Sequence, residues 1–259
     1  MSPQDGEDKT AKARERAVKA INEDDAATLA QILESEPAVL NFNGRGAEGT
    51  RPPPLLYMAT MSNMPKCVEV LVKAGCDIHD RFLPPRQEGI KHQSATPLAL
   101  AIYCKNPAVR AEMFRSLMAA AGLGIDAHAL SWGEGMAAAA YRGDTGIMKE
   151  LNAYCGREGV VLWPKFRNDA SENMLHIAAS AGIGGIDAFR LLLSWDGMWE
   201  TLGELNSDKQ TPRDVARCEG IVELVKELDA AVESRRVQKE LLLAVCSAPK
   251  DKGLARRRL

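Results

Sequence analysis

Six stretches of the chain repeat one arrangement of apolar and polar positions. Five align directly: LLYMATMSN ahead of Lys66, TPLALAIYCKN from Thr96, MAAAAYRGD from Met136, NMLHIAASAG from Asn173 and TPRDVARCEG from Thr211. A weaker sixth, AVKAINEDD, starts at Ala17. Each places a small residue at the same point (Ala20, Ala59, Ala101, Ala139, Ala178 and Ala216), at intervals of 38 to 42 residues. Unrelated alanines would not hold so narrow an interval while keeping the same neighbours. Downstream of each alanine a second apolar set recurs at helical spacing, such as Val68, Leu71 and Val72, or Phe189, Leu192 and Leu193. Glycines in KAGCD, AAAG and NAYCG then suit a helix stop, since glycine takes the left-handed conformation without a Cβ clash. The predicted unit is helix, tight turn, helix and extended loop.

The residues filling this pattern resemble the ankyrin repeat family. The resemblance rests on Thr96-Pro97-Leu98, Leu175-His176-Ile177-Ala178-Ala179, Arg142-Gly143-Asp144, Leu71-Val72-Lys73-Ala74-Gly75 and Asp208-Lys209-Gln210-Thr211-Pro212. It extends over about Ala17 to Leu228 and implies an all-α, ankyrin-type solenoid of stacked helix-turn-helix repeats with long loops. The repeats fall at about 11–41, 50–78, 94–125, 130–160, 170–199 and 208–232, followed by a C-terminal helix extension, 233–247. Residues 1–10 and the basic tail, 248–259, are expected to be flexible. Thr96 and Thr211 suit an N-cap, and Pro97 and Pro212 the first helical position, where a missing N–H costs nothing. His176, in the motif's histidine place, is expected to bond backbone near its own turn.

The chain departs from the family in its period, which exceeds the usual value of about 33 residues. The extra residues are assigned to the loop Ile78–Ala95, to the stretch Lys105–Arg110 between the helices of the third unit, and to Ile183–Ile186 and Val160–Asp169. HEAT and armadillo arrays also have periods near 40, but they do not share the Thr-Pro-Leu, His-x-Ala-Ala and Gly-Asp features. The first unit lacks Thr-Pro, and the second has Tyr57 for the histidine and Asn63 for the tight-turn glycine. At the ends, Lys9, Lys12, Arg14, Glu15, Arg16 and Lys19 suggest a polar capping face. Ala231, Val232, Leu241, Leu242 and Val245 are packing candidates on the last helix.

Composition agrees with a helical stack. Hydrophobic residues make up 46% of the chain and aromatics only 5%, so the core must rest on Ala, Leu, Ile, Val and Met. A net charge of -2 supplies no field to gather nucleic acid. With no signal-peptide pattern and no apolar run of about 20 residues, the expectation is a soluble cytoplasmic protein, or a nuclear one through the Arg256–Arg258 run. Six scattered cysteines with no CxxC pair read as free thiols, and the lone Cys76-x-x-His79 lacks a second pair for zinc. No phosphate loop, nucleophile elbow or HExxH helix is present. The expectation is therefore no enzyme, no cofactor and no metal site.

What remains is a surface. Such a stack leaves one concave face, lined by inner helices and loop tips, where similar proteins hold partners. Met58, Met61, Leu100, Tyr103, Tyr141, Arg142, Ile177 and Ser180 are expected there, with Tyr103 and Tyr141 side by side. Arg45, Phe82, Arg86, His92, Trp132, Glu134 and Phe166 are the loop candidates. Trp195 and Trp199 are expected in the core. The function expected is a non-catalytic interaction module or scaffold for a protein partner; the alternative is an assembly factor or fixed subunit of a larger complex.

Overall fold

In the computed structural model of the protein, the described residues are 3–41, 52–82, 96–120, 129–157 and 159–247. They form six helical hairpins: α1 (Pro3–Asn22) with α2 (Ala26–Ser35), α3 (Leu55–Met61) with α4 (Pro65–Lys73), and α5 (Pro97–Tyr103) with α6 (Pro107–Ala120). There follow α7 (Ala129–Arg142) with α8 (Thr145–Arg157), α9 (Met174–Ser180) with α10 (Ile186–Leu193), and α11 (Pro212–Cys218) with α12 (Val222–Ser247). No described helix is long and apolar enough to cross a membrane.

The first helices of the pairs stack in chain order, α1 on α3, then α5, α7, α9 and α11. All six repeated alanines lie on these inner helices, and none is more than 2% exposed. Their lack of bulk lets successive helices approach, and one continuous apolar core runs from Ala13 to Leu228. A single unit could not bury its apolar face alone; stacking supplies the missing wall.

Local chemistry sets the joints. Asp24, Asn63, Gly143, Gly182 and Gly220 each have positive φ, between 54° and 72°. Each stands four residues after its unit's alanine. Asp and Asn tolerate this conformation through local hydrogen bonding, so Asn63 in place of glycine keeps the turn. Side-chain caps open the helices. Asp25 accepts from Thr28 N at 2.9 Å, Thr96 from Ala99 N at 3.4 Å, Asp144 from Ile147 N at 3.2 Å and Thr211 from Asp214 N at 3.2 Å.

Several expectations need correction. Helix already begins at Pro3, inside the stretch expected to be flexible. Arg14 does not face water: it is 8% exposed and donates to the Pro53 carbonyl, tying the first unit to the second. The Lys105–Arg110 insertion is no longer turn; α5 ends at Tyr103 and α6 starts at Pro107, and the extra residues lengthen α6 to 14 residues against nine in α4. Gly156 lies within α8, and Gly159, with φ 71°, follows its end instead. Val232 and Leu241 on α12 are 48% and 61% exposed rather than packed. Trp195 is half-buried and packs against the core as expected, but Trp199 is half-buried outside it, with the Arg235 guanidinium 4.0 Å from the centre of its ring.

Candidate functional site

Two residues beyond each alanine, the helix has turned by about 200°, so this position points away from the buried seam. Met61, Tyr103 and Tyr141 occupy it in the second, third and fourth units, 53%, 40% and 49% exposed. Each ends or nearly ends its inner helix. The two tyrosine rings meet edge to face, with centroids 6.4 Å apart and planes at 66°, an arrangement the ring quadrupole favours. Arg142 Nη1 donates to the Tyr103 carbonyl at 3.2 Å, holding the third and fourth units in register. Burial, followed by the neighbouring Tyr141 and Glu134, raises the Tyr103 phenol above the usual tyrosine range, so it stays neutral. One position before the alanines, Met58 and Leu100 are half-buried and Ile177 is 7% exposed, while Ser180, two beyond Ala178, is half-buried.

The loop candidates divide differently. Arg45, Arg86 and His92 lie outside the described residues. Phe82 is 6% exposed with its ring 4.9 Å from that of Tyr57, so it is a packing residue rather than a contact surface. Trp132 is not on a loop at all. It sits on α7, 1% exposed, stacked on Tyr154 at 5.0 Å and flanked by His79 at 5.6 Å. Phe166 is 7% exposed. Large aromatic side chains in a compact stack are driven into whatever cleft excludes water, and here adjoining elements provide one.

The reason is the length of α7. It has 14 residues where α3, α5, α9 and α11 have seven. Its additional N-terminal turns offer Ser131, Trp132 and Glu134 to the chain arriving from the second unit. Ser131 Oγ lies 3.0 Å from His79 Nδ1, and Arg81 pairs with Glu134 at 2.6 Å. Burial, only partly offset by Arg81 and Thr96, holds the Glu134 carboxyl above the usual glutamate range. On the same helix, Gly133 and Gly135 leave room for Phe166 and Leu98, whose atoms an added Cβ would meet within 3 Å. The sequence reading also missed Ile183, 83% exposed in the 3-10 turn Gly182–Gly185.

His176 Nδ1 accepts from its own N-cap, the Asn173 N–H, at 3.3 Å. Its Nε2 donates to the Gln210 carbonyl of the following unit at 2.8 Å. Burial pushes the thiols of Cys76 and Cys155 up to about 12, the opposite of an activated nucleophile. Among the described residues no three His, Cys, Asp or Glu side chains converge as metal ligands would.

Neither a scan against protein-family models nor a search of curated proteins finds a match. Solved structures do match. One is a crystallised ankyrin repeat protein, 19% identical with a TM-score of 0.55, the alignment covering 83% of this chain and 96% of that one. Another is an ankyrin repeat domain from Acinetobacter baumannii, 21% identical with a TM-score of 0.55 and the same coverage. The seam of buried alanines and the likeness to these structures lead to one conclusion: the chain has the ankyrin-repeat fold, an all-α solenoid of stacked helical hairpins.

Proposed function

We propose that the protein is a non-catalytic, cytoplasmic interaction module that holds a protein partner on its inner-helix face, the concave side of such a stack. The observation carrying this reading is the exposed edge-to-face pair Tyr103 and Tyr141, with Arg142 fastened beside it. Tyrosine and arginine are over-represented among residues that dominate binding energies. A rigid stack also loses little freedom on association, so more of the contact energy appears as affinity. Met58, Met61 and Leu100 extend the surface with apolar area. Phe82 and Trp132 are buried against Tyr57 and Tyr154 and contribute no contact surface.

Affinity capture with mass spectrometry, comparing wild type with a folded Tyr103→Ala/Tyr141→Ala variant, tests the reading. Loss of one or more partners from the variant is expected. Retention of every partner would place binding elsewhere.

One observation favours a fixed-subunit role as the second reading: Val232, Val237, Leu241 and Leu243 are all exposed on α12. Recovery of the native protein only in a heavy complex, dissociated by Leu241→Ser/Leu243→Ser, would support it.

A further inference from the structure

We infer that the row containing Tyr103 and Tyr141 takes an acidic amphipathic α-helix; this rests on the inner-helix face being the binding surface. The row is longer than the tyrosine pair. Met61 precedes it in the second unit at the same offset; in the fifth unit that offset is the half-buried Ser180, and the exposed Ile183 stands three residues further on, in the turn Gly182–Gly185. Contact between adjacent turns places Ile183 next in line. A Cβ on Gly143, two residues after Tyr141, would fall 2.0 Å from the Gly184 carbonyl oxygen, so the fourth-unit turn touches the turn that displays Ile183. Single exposed apolar residues are ordinary, but Met61, Tyr103 and Tyr141 repeat one offset in three successive units, and Ile183 stands on the turn that touches the last of them.

The spacing of the rings suits a regular partner. Their 6.4 Å separation lies between the rise of about 6.0 Å across four helical residues and that of about 6.8 Å across two strand residues. The backbone decides between them. An extended peptide gains its affinity by pairing N–H and C=O groups with a sheet edge. This row is built from helix ends and turns, and the described residues contain no strand to offer such an edge. A helix has already satisfied its own backbone groups and needs only side-chain contacts. Adjacent packed helices lie about 8–10 Å apart, close to the rise of about 10.5 Å over seven helical residues. Apolar side chains four residues apart would therefore span the two rings, and side chains seven apart the two helices that carry them.

Charge selects the flanks. Lys105 is exposed beside Tyr103, and Arg142 stands beside Tyr141 with one N–H given to a neutral carbonyl. Two acids near the row have basic partners of their own: Asp144 pairs with Arg110 at 3.2 Å, and Glu134 with Arg81 at 2.6 Å. A partner bearing Asp or Glu beside its apolar stripe would face the two cations and gain association rate at low salt.

The test is selection of random 20-residue peptides on the full chain by phage display. Selected peptides are then synthesised and measured by fluorescence anisotropy and circular dichroism. Expected are sequences with apolar residues at i, i+4 and i+7 flanked by Asp or Glu, helical when bound and weakened by salt. Their affinity should fall about tenfold or more with Tyr141→Ala and several-fold with Ile183→Ser, while Tyr141→Phe keeps most of it. Peptides that lose binding with Tyr141→Ala but are extended or basic would overturn this inference and leave the interaction reading standing. If no selected peptide responds to Tyr103→Ala/Tyr141→Ala, both fall.

Discussion

A Cβ atom on Gly133 would lie 2.0 Å from Cδ2 of Phe166. The ring is itself buried and cannot swing aside without opening the core, so the absence of a side chain at residue 133 is what seats Phe166 against α7. Gly133→Ala should destabilise the protein by about 1–3 kcal/mol through overpacking. Gly156→Ala is the control. It lies in α8 with nothing within 4 Å of the added methyl, and should stabilise by about 0.5–1 kcal/mol by restricting the unfolded chain. Urea unfolding midpoints of the two variants should move in opposite directions.

Trp132 and Tyr141 lie on the same helix but belong to different parts of the structure. Removing the fully buried indole by Trp132→Ala should cost about 3–5 kcal/mol. Tyr141→Ala, at a position 49% exposed, should cost no more than about 1 kcal/mol, the worth of its edge contact with Tyr103. Denaturant unfolding of both variants measures the difference. Comparable losses would mean that Tyr141 serves the core and not the surface.

His176 predicts a pH dependence of defined sign. Burial is the main cause that lowers its pKa, with the Gln210 carbonyl and the Glu172 and Glu204 charges opposing. A folded pKa below the unfolded one gives stability that is present above the ordinary histidine range and lost as pH falls through the folded value. Wild type should therefore lose more stability than His176→Asn between about pH 7 and about pH 5. Both proteins share the same carboxylates, so their difference isolates the imidazole. A difference that does not change with pH would contradict the neutral, doubly bonded histidine.

The distal part of α12 contributes little to the fold. Val237, Leu241 and Leu243 are 43%, 61% and 59% exposed, whereas Leu224 and Leu228 are each 1% exposed. Truncation before Val237 should change the unfolding free energy by less than about 0.5 kcal/mol, while Leu228→Ala should cost about 2–5 kcal/mol. A large loss from the truncation would show that these turns pack on the solenoid.

What the linear chain determined was everything governed by near neighbours. The interval of the alanines, the Thr-Pro helix starts and the left-handed residue at Asn63, Gly143 or Gly182 are choices made within a few bonds, where steric and hydrogen-bonding rules act without knowledge of the rest. Because one unit repeats, those local rules also settle the stack, and the side-by-side placement of Tyr103 and Tyr141 follows from their equal offsets. The tertiary structure alone decided which large side chains face water. Phe82, Trp132 and Phe166 carry the composition of exposed anchors, yet each is covered by a partner distant in sequence: Tyr57, Tyr154 and the bare backbone of Gly133. Ile183 and Leu241 look like core residues and stand in solvent. Burial depends on whether another element arrives to exclude water, and that depends on helix lengths and on where the connecting turns land, which no short-range pattern specifies.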